Sequence, residues 1–257
     1  MAPVRVHVER TEDLEPALRE LALDGGRPTV LVVGGAGRLA GSELDRLRPL
    51  FTRLAAVAER LGAAVVDGGT DAGVMRLLGR ARAAEGASFP LVGVAARGLV
   101  AAPGAEGDLE RLEPNHSHAL LVPGERWGDE TPSLVRVVEV IVRDQQSVTL
   151  LVNGGEVALQ EVAASLGAGW PVVVAAGSGR LADVLAAAAG GAAVGGAAGE
   201  LAASGLLDVV QVEDDGGRAV VDRLVEILSG GKQDGQGRVR KLAEGRARGP
   251  DQGARAD

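Results

Sequence analysis

The chain of 257 residues contains no cysteine, so disulfide bonds, thiolate nucleophiles and cysteine-ligated zinc sites are excluded. Aromatic residues make up only 2% of the chain, and a core therefore has to be built from Val, Leu, Ala and Ile side chains. The formal net charge is −8. Because binding to a phosphate backbone depends on Lys and Arg, we expect no nucleic-acid partner.

The N-terminal segment lacks the apolar run of a signal peptide, so we expect a cytoplasmic protein. One stretch rich in Ala and Gly, residues 184–205, resembles a membrane span in length. Its small side chains contribute little transfer free energy and Glu200 interrupts it, so we predict a helix, a loop and a second helix. We expect one folded domain over residues 1–229, followed by a disordered tail at 230–257 that is poor in apolar residues.

Short apolar runs alternate with amphipathic patterns along the chain. This alternation predicts an α/β fold with a mostly parallel, doubly wound sheet and helices on both faces. Residues 133–143 fit a helix or a strand, and we favour a helix because Thr131 and Pro132 precede them. We expect Ser42 to cap the first long helix. The predicted strands are 29–33, 63–66, 91–95, 119–122, 148–152, 171–175 and 209–212; the predicted helices are 43–61, 72–84, 133–143, 156–166, 181–188 and 218–228.

Four of these strands end in glycine-rich turns that lead into a helix. Glycine lets the backbone turn sharply and lets a phosphate approach the amides, while the helix N-terminus adds free N–H groups. Ligands of open α/β sheets bind beyond the carboxyl ends of the strands, so we expect a nucleotide-type ligand on these turns. The candidate ligand-binding residues are Gly34, Gly35, Ala36, Gly68, Gly69, Thr70, Gly73, Val74, Asn153, Gly154, Gly155, Gly177, Ser178, Gly179 and Arg180.

The turns do not carry the motifs of two common nucleotide chemistries. No Gly-Lys-Ser/Thr of a Walker loop is present in the sequence. Gly35, Gly37 and Ala40 fit a permissive dinucleotide spacing, but the next strand-end acid, Asp67, comes later than a ribose-binding acid should. Neither ATP hydrolysis nor hydride transfer is therefore supported.

Two polar side chains in the turns have alternative roles. The Thr70 hydroxyl either donates to a phosphate or caps the following helix. The Arg180 guanidinium either contacts a phosphate or ribose or forms a surface ion pair with Asp183. We favour the ligand role for Arg180.

A long irregular stretch holds most of the remaining unusual polar residues, and we treat it as a possible pocket loop. His116 and His118 would share one face of a strand and form a metal site with Glu113 or Asp129, but no familiar ligand spacing supports it and we predict no metal. The alternative is that the polar residues brace the loop by hydrogen bonds. Trp127 either covers a base or packs the loop. The candidate residues of this loop are Asn115, His116, His118, Gly124, Glu125 and Trp127.

An ordered set of motifs in this chain resembles the SLOG domain of melastatin-type TRP channels in its prokaryotic stand-alone form. The motifs are VVDGGTDAGVM at 65–75, LVGVA at 91–95, LEPNHSHALLVPG at 112–124, WGDE at 127–130 and GSGRLADVL at 177–185. The resemblance covers residues 28–228 and implies a Rossmann-like fold and a nucleotide-derived ligand such as ADP-ribose. It also implies that Gly69, Thr70, Gly73 and Arg180 line the ligand pocket.

The SLOG superfamily is similar to the LOG and "lysine decarboxylase-like" proteins, whose phosphoribohydrolases carry Pro-Gly-Gly-x-Gly-Thr-x-x-Glu. The corresponding run here is residues 153–161. Its two glycines and final Glu161 match, whereas Asn153 replaces the proline and Val157-Ala158 replaces Gly-Thr. The resemblance makes Glu161 a catalytic candidate, but the loss of the glycine and hydroxyl weakens an enzymatic interpretation.

We therefore expect a ligand sensor that binds an ADP-ribose-like nucleotide, requires no other cofactor and signals to a partner, such as a membrane effector protein. We expect it to form a homodimer. One alternative is an N-glycoside hydrolase that acts on nucleoside monophosphates or NAD-like substrates, with Glu161 as the acid/base or oxocarbenium-stabilising group. Another is a scaffold in which the glycine turns are only structural.

Overall fold

The computed structural model describes residues 2–37, 41–102, 104, 107–212 and 215–230. These residues form one parallel sheet between two layers of helices. The strands are β1 (Val4–His7), β2 (Thr29–Gly34), β3 (Ala64–Asp67), β4 (Leu91–Ala96), β5 (His118–Val122), β6 (Ser147–Val152), β7 (Val172–Ala176) and β8 (Leu207–Gln211). The helices are α1 (Leu14–Glu20), α2 (Gly41–Leu61), α3 (Gly73–Ala84), α4 (Thr131–Val142), α5 (Glu156–Gly167), α6 (Arg180–Ala189), α7 (Gly196–Ala202) and α8 (Arg218–Ser229).

All eight strands are parallel, in the order β1-β5-β4-β3-β2-β6-β7-β8. From β2 the chain builds outward through β3, β4 and β5 on one side, and β6, β7 and β8 follow on the other. The order therefore reverses between β2 and β6, where Gly34 lies in register with Val152. This arrangement confirms the predicted doubly wound, Rossmann-like α/β fold and defines its topological switch point.

Helices cover both faces of the sheet. On one face α2, α3 and α8 bury side chains such as Phe51 and Leu224 against the strands. On the other face α1, α4, α5 and α6 do the same, for example through Leu134 and Val162. Because the central strands are buried on both faces, they appear in the sequence as nearly continuous apolar runs. The two packed layers hold the strand ends in fixed positions.

The predicted central strands and helices are all found, with shifts of a few residues at their ends. The segment 133–143 lies in a helix, α4, with Pro132 in its first turn, as favoured. The segment 184–205 contains the end of α6, a loop and α7, as predicted. Within the described residues, no helix is both long and apolar enough to span a bilayer.

Three sequence predictions need correction or lie beyond the described residues. Ser42 is not the N-cap of α2, because the helix already includes Gly41. Nothing was predicted before residue 29, yet β1 and α1 are there. The residues of β1 are exposed or only partly buried at the edge of the sheet, so they do not form a buried apolar run. Ala40 and the tail after residue 230 lie outside the described residues.

Candidate functional site

The four glycine turns follow β3, β2, β6 and β7, which are consecutive in the sheet. Because the strands are parallel, the turns lie along one edge, and the switch point between β2 and β6 is at its centre. This is the position at which open α/β sheets bind their ligands. The fold thus brings the predicted turn residues together.

The turn after β2 and the start of α3 are packed directly against each other. A Cβ on Gly73, whose φ is +45°, would overlap the carbonyl oxygen of Gly35, and a Cβ on Gly34 would overlap that of Val152. The Val74 N–H donates to the Gly35 carbonyl over 3.1 Å. Gly34 and Gly73 are therefore required by close backbone packing, and the Val74 amide is already occupied.

The turn after β3 is fixed by a buried carboxylate. Oδ1 of Asp67 accepts a 2.7 Å hydrogen bond from the Gly69 N–H. Gly69 has a φ of +69° and faces Gly93 of β4 so closely that neither residue has room for a side chain. Gly68, in contrast, faces open space. The turn is thus rigid and leaves the Gly68 backbone approachable.

Thr70 lies at the end of this turn and is almost fully buried. It forms an isolated β-bridge with Leu112. The N-cap residue of α3 is Ala72, and no side chain caps that helix, so the helix-cap alternative for Thr70 is wrong.

The turns after β6 and β7 are tied together by Asn153 and Ser178, both of them buried. The backbone N–H of Asn153 donates to the Ser178 hydroxyl, and its side-chain amide donates to the Ser178 carbonyl and accepts from the Gly154 N–H. The Ser178 hydroxyl donates to the Ala175 carbonyl over 2.6 Å. These side chains already have protein partners, so they position the two turns.

Arg180 begins α6 with a φ of +49° and extends back over the neighbouring turn. Its guanidinium lies so close to Gly155 that a Cβ there would be 2.8 Å from Nη2. Within the described residues Arg180 makes no ion pair, because Asp183 instead accepts a 2.6 Å hydrogen bond from the Gly177 N–H. The Arg180–Asp183 pair considered from the sequence is therefore wrong, and an exposed guanidinium lies beside the switch point.

Sequence reasoning missed a second arginine at this edge. Nη2 of Arg46, from α2, donates to the Gly177 carbonyl over 2.8 Å. Glu43 borders the same turn, since its Oε1 is 3.7 Å from the position of a Cβ on Gly179. The separation of 131 residues between Arg46 and Gly177 leaves no local signal, because only the sheet order brings α2 next to β7.

A buried ionic network of Asp67, Glu113 and His116 stabilises the turn after β3. Nε2 of His116 lies 2.8 Å from Oδ1 of Asp67, and its Nδ1 lies 2.9 Å from Oε2 of Glu113. Both ring nitrogens face carboxylate oxygens, so the imidazole carries two protons. Burial opposes this charge, but Asp67 and Glu113 outweigh burial and raise the pKa of His116 to about 9.

The network also braces the loop that precedes β5. The Glu113 carboxylate occupies the space that a side chain on Gly79 of α3 would fill. It accepts hydrogen bonds from the backbone and side-chain amides of Asn115, both over 2.7 Å. Asn115 and His116 thus have the bracing role given as an alternative from the sequence.

The metal site considered from the sequence does not form. His118 contacts the Ser117 hydroxyl through Nδ1, and Asp129 accepts two backbone hydrogen bonds within its own loop. Among the residues that the structure describes, no three His, Asp or Glu side chains are grouped to hold a metal ion.

Glu161 lies on the inner side of α5 with only 8% of its surface exposed. Burial raises the pKa of its carboxyl to about 8, and the charges of Glu130 and Asp67 act in the same direction. Oδ2 of Asp67 and the Thr131 hydroxyl are buried without a hydrogen-bond partner among the described residues. Asp67, Glu130 and Glu161 therefore form an acidic corner of the site, and Glu161 keeps a proton at neutral pH.

The loop between β5 and α4 lies next to the same corner. Gly124 packs against Ala96, and a Cβ on Gly128 would lie 2.6 Å from the side-chain oxygen of Gln160, the neighbour of Glu161. Trp127 belongs to this loop and has 46% of its surface exposed, so both alternatives given from the sequence remain open. The other aromatic residues of the chain are Phe51, Phe89 and Trp170, all buried.

Glu125 and Gly98 come close at the base of this loop. A Cβ on Gly98 would lie 2.5 Å from a carboxylate oxygen of Glu125, and the Gly98 N–H donates to the Gly124 carbonyl over 3.0 Å. Glu125 therefore lies on the side of the loop that faces the end of β4, whereas the Gly128 end of the loop contacts α5.

The sequence of this chain is similar to a known protein family and to parts of two larger proteins. The profile of the family described as "SLOG in TRPM, prokaryote" matches residues 27–220. The transient receptor potential cation channel subfamily M member 2 of Mus musculus is 28% identical over 204 residues, and that of Rattus norvegicus is 27% identical over 200. These matches cover 64% and 62% of this chain but only 13% of each channel.

A solved structure shares the fold. The X-ray structure of TM1055, a structural genomics target, superposes with a TM-score of 0.52 at 20% sequence identity. The match covers 79% of this chain and 99% of that one. The family profile spans most of the chain and includes all four glycine turns, so the chain belongs to the prokaryotic family of TRPM-type SLOG domains.

Proposed function

We propose that this SLOG domain is a sensor that binds a nucleotide-derived ligand such as ADP-ribose on the four glycine turns. The observation that carries the proposal is the exposed guanidinium of Arg180. It lies against Gly155 beside the switch point and has no carboxylate partner within the described residues, since Asp183 is bonded to the Gly177 N–H instead. A guanidinium presents donors in a planar fork that matches phosphate oxygens, and the approachable turn at Gly68 adds backbone N–H groups.

In this proposal the phosphates lie near Arg180, and the base stacks on Trp127. The rigid turns need little reordering on binding, which favours affinity. Thr70 and Glu161 lie near the sugar between these two ends. Asn153 and Ser178 act indirectly by fixing the positions of the turns.

The sensor transmits ligand binding to a partner effector. The matched rodent proteins are named as cation channels, which supports a membrane protein as the effector. The domain acts in the cytoplasm as a homodimer. Size-exclusion chromatography with light scattering measures the oligomeric state, and a monomeric mass at micromolar concentration contradicts the dimer.

Isothermal titration calorimetry with ADP-ribose, NAD and AMP tests ligand binding. Arg180→Gln is expected to weaken binding by about 10- to 100-fold, because a charge-assisted hydrogen bond is removed. Arg60→Gln is the matched control, since Arg60 is also exposed but lies in the last turn of α2, at the opposite edge of the sheet. The proposal is wrong if the folded wild-type protein binds none of the three ligands at millimolar concentration.

A second candidate function is supported by the protonated Glu161. A neutral carboxyl at pH 7 is suited to donate a proton to a leaving base, as an N-glycoside hydrolase requires. Incubation with AMP or NAD followed by chromatography separates the two functions. Release of free base by the wild type, lost in Glu161→Gln, favours the hydrolase; no release favours the sensor.

A further inference from the structure

Two arginines approach the turn after β7 from opposite faces of the sheet. Arg180 begins α6 on one face and extends toward the β6 turn at Gly155. Arg46 comes from α2 on the other face and donates to the Gly177 carbonyl over 2.8 Å. That hydrogen bond holds the Arg46 guanidinium at the carboxyl edge of the sheet, where the ligand is proposed to bind.

The charge of Arg46 is not neutralised by an ion pair within the described residues. It uses one N–H on a neutral carbonyl, so most of its five donors remain available. Two carboxylates border the turn: Asp183 is bonded to the Gly177 N–H, and Glu43 lies near Gly179. Arg48, two residues further along α2, instead forms a 2.7 Å ion pair with Asp45.

We infer that Arg46 contacts the second phosphate of a diphosphate ligand while Arg180 contacts the first, which makes Arg46 a specificity-determining residue. This inference rests on the proposed function. One guanidinium fork matches one phosphate group, so two forks on either side of one turn match two linked phosphates. The site then selects nucleotides with a diphosphate bridge over nucleoside monophosphates.

Calorimetry at 0.15 M salt (on the order of physiological ionic strength) compares ADP-ribose with AMP on the wild type, Arg46→Gln and Arg48→Gln. Glutamine removes the charge, and the comparison with AMP controls for the loss of the hydrogen bond to the Gly177 carbonyl. Arg46→Gln is expected to weaken ADP-ribose binding by roughly 10- to 100-fold and AMP binding by less than about 2-fold. Arg48→Gln, which changes another exposed arginine of the same helix, is expected to change neither affinity.

Each other outcome overturns the inference. Equal losses for both ligands in Arg46→Gln mean that Arg46 only positions the turn, and no loss means that it does not contact ligand. A wild type that binds AMP as tightly as ADP-ribose contradicts diphosphate selection while leaving the proposed function intact. A wild type that binds neither ligand overturns the proposed function, and this inference with it. Thermal unfolding checks that both variants remain folded.

Discussion

Raising the pH from 6.5 to about 9.5 is expected to destabilise the protein, because His116 is held in its charged form between two buried carboxylates. The pKa of His116 is about 9 in the folded protein, against 6.5 for an unperturbed histidine. Below 6.5 both states are protonated and the stabilisation is complete. Above 6.5 the unfolded chain releases its proton while the folded state retains it, so the free energy of unfolding falls until the pH passes 9.

The difference between these pKa values corresponds to about 3 kcal/mol. Glu161 acts in the same sense, since its pKa is raised from 4.5 to about 8 and stability is lost as the pH rises between those values. Glu161→Gln removes that contribution and isolates His116. Few other side chains titrate in the upper part of this window, because the chain has no Cys or Tyr and its only lysines are Lys232 and Lys241.

Urea unfolding of Glu161→Gln at pH 6.5 and 9.5 measures the expected loss of about 3 kcal/mol. NMR of the imidazole signals is a direct check on the unaltered protein, since only His7, His116 and His118 contribute. The signals of His116 should titrate near pH 9. Titration at or below 6.5, or equal stability of Glu161→Gln at both pH values, would refute the argument that both ring nitrogens are protonated.

Two further substitutions probe the network and the loop. Gly79→Ala should destabilise the protein by about 2 kcal/mol or more in urea unfolding, because the new methyl overlaps the Glu113 carboxylate. Gly167→Ala, at the end of α5 with open space around it, should be neutral or slightly stabilising; equal effects would contradict the packing argument. Trp127→Ala should weaken ADP-ribose binding by roughly 5- to 150-fold while leaving ribose 5-phosphate unchanged, and equal losses in calorimetry would exclude base stacking.

The sequence was sufficient for the central fold because parallel strands buried on both faces leave long apolar runs. The stretch Thr29–Gly34 is one of them, and the glycines that follow it mark the end of the strand. The edge strand β1 was missed because its four residues are exposed or only partly buried and it pairs only with β5. Local patterns thus predict elements whose environment is uniform, and they fail where an element is half exposed.

The site was predicted only in part, because its chemistry depends on contacts distant in sequence. Asp67 and His116 are 49 residues apart in the sequence. Asp67 ends β3 and His116 precedes β5, and the two side chains meet only because the sheet places β4 between those strands. The hydrogen bonds that link Asn153 and Ser178 were also not predicted, since a polar residue in a glycine turn has the same sequence signature whether it contacts ligand or the next turn. The Arg46 contact with Gly177 likewise requires the sheet order.

The distribution of charge at the strand ends explains how a chain with a net charge of −8 can have an edge suited to an anion. Asp67 ends β3 and Arg180 follows β7, and these strands are three spacings, or about 14 Å, apart in the sheet. In the proposed complex the arginines and the acidic corner therefore act on different parts of the ligand. If the proposed function is correct, a ligand that contacts both groups has to be elongated, with its anionic groups at the β7 end and uncharged hydrogen-bond donors at the β3 end.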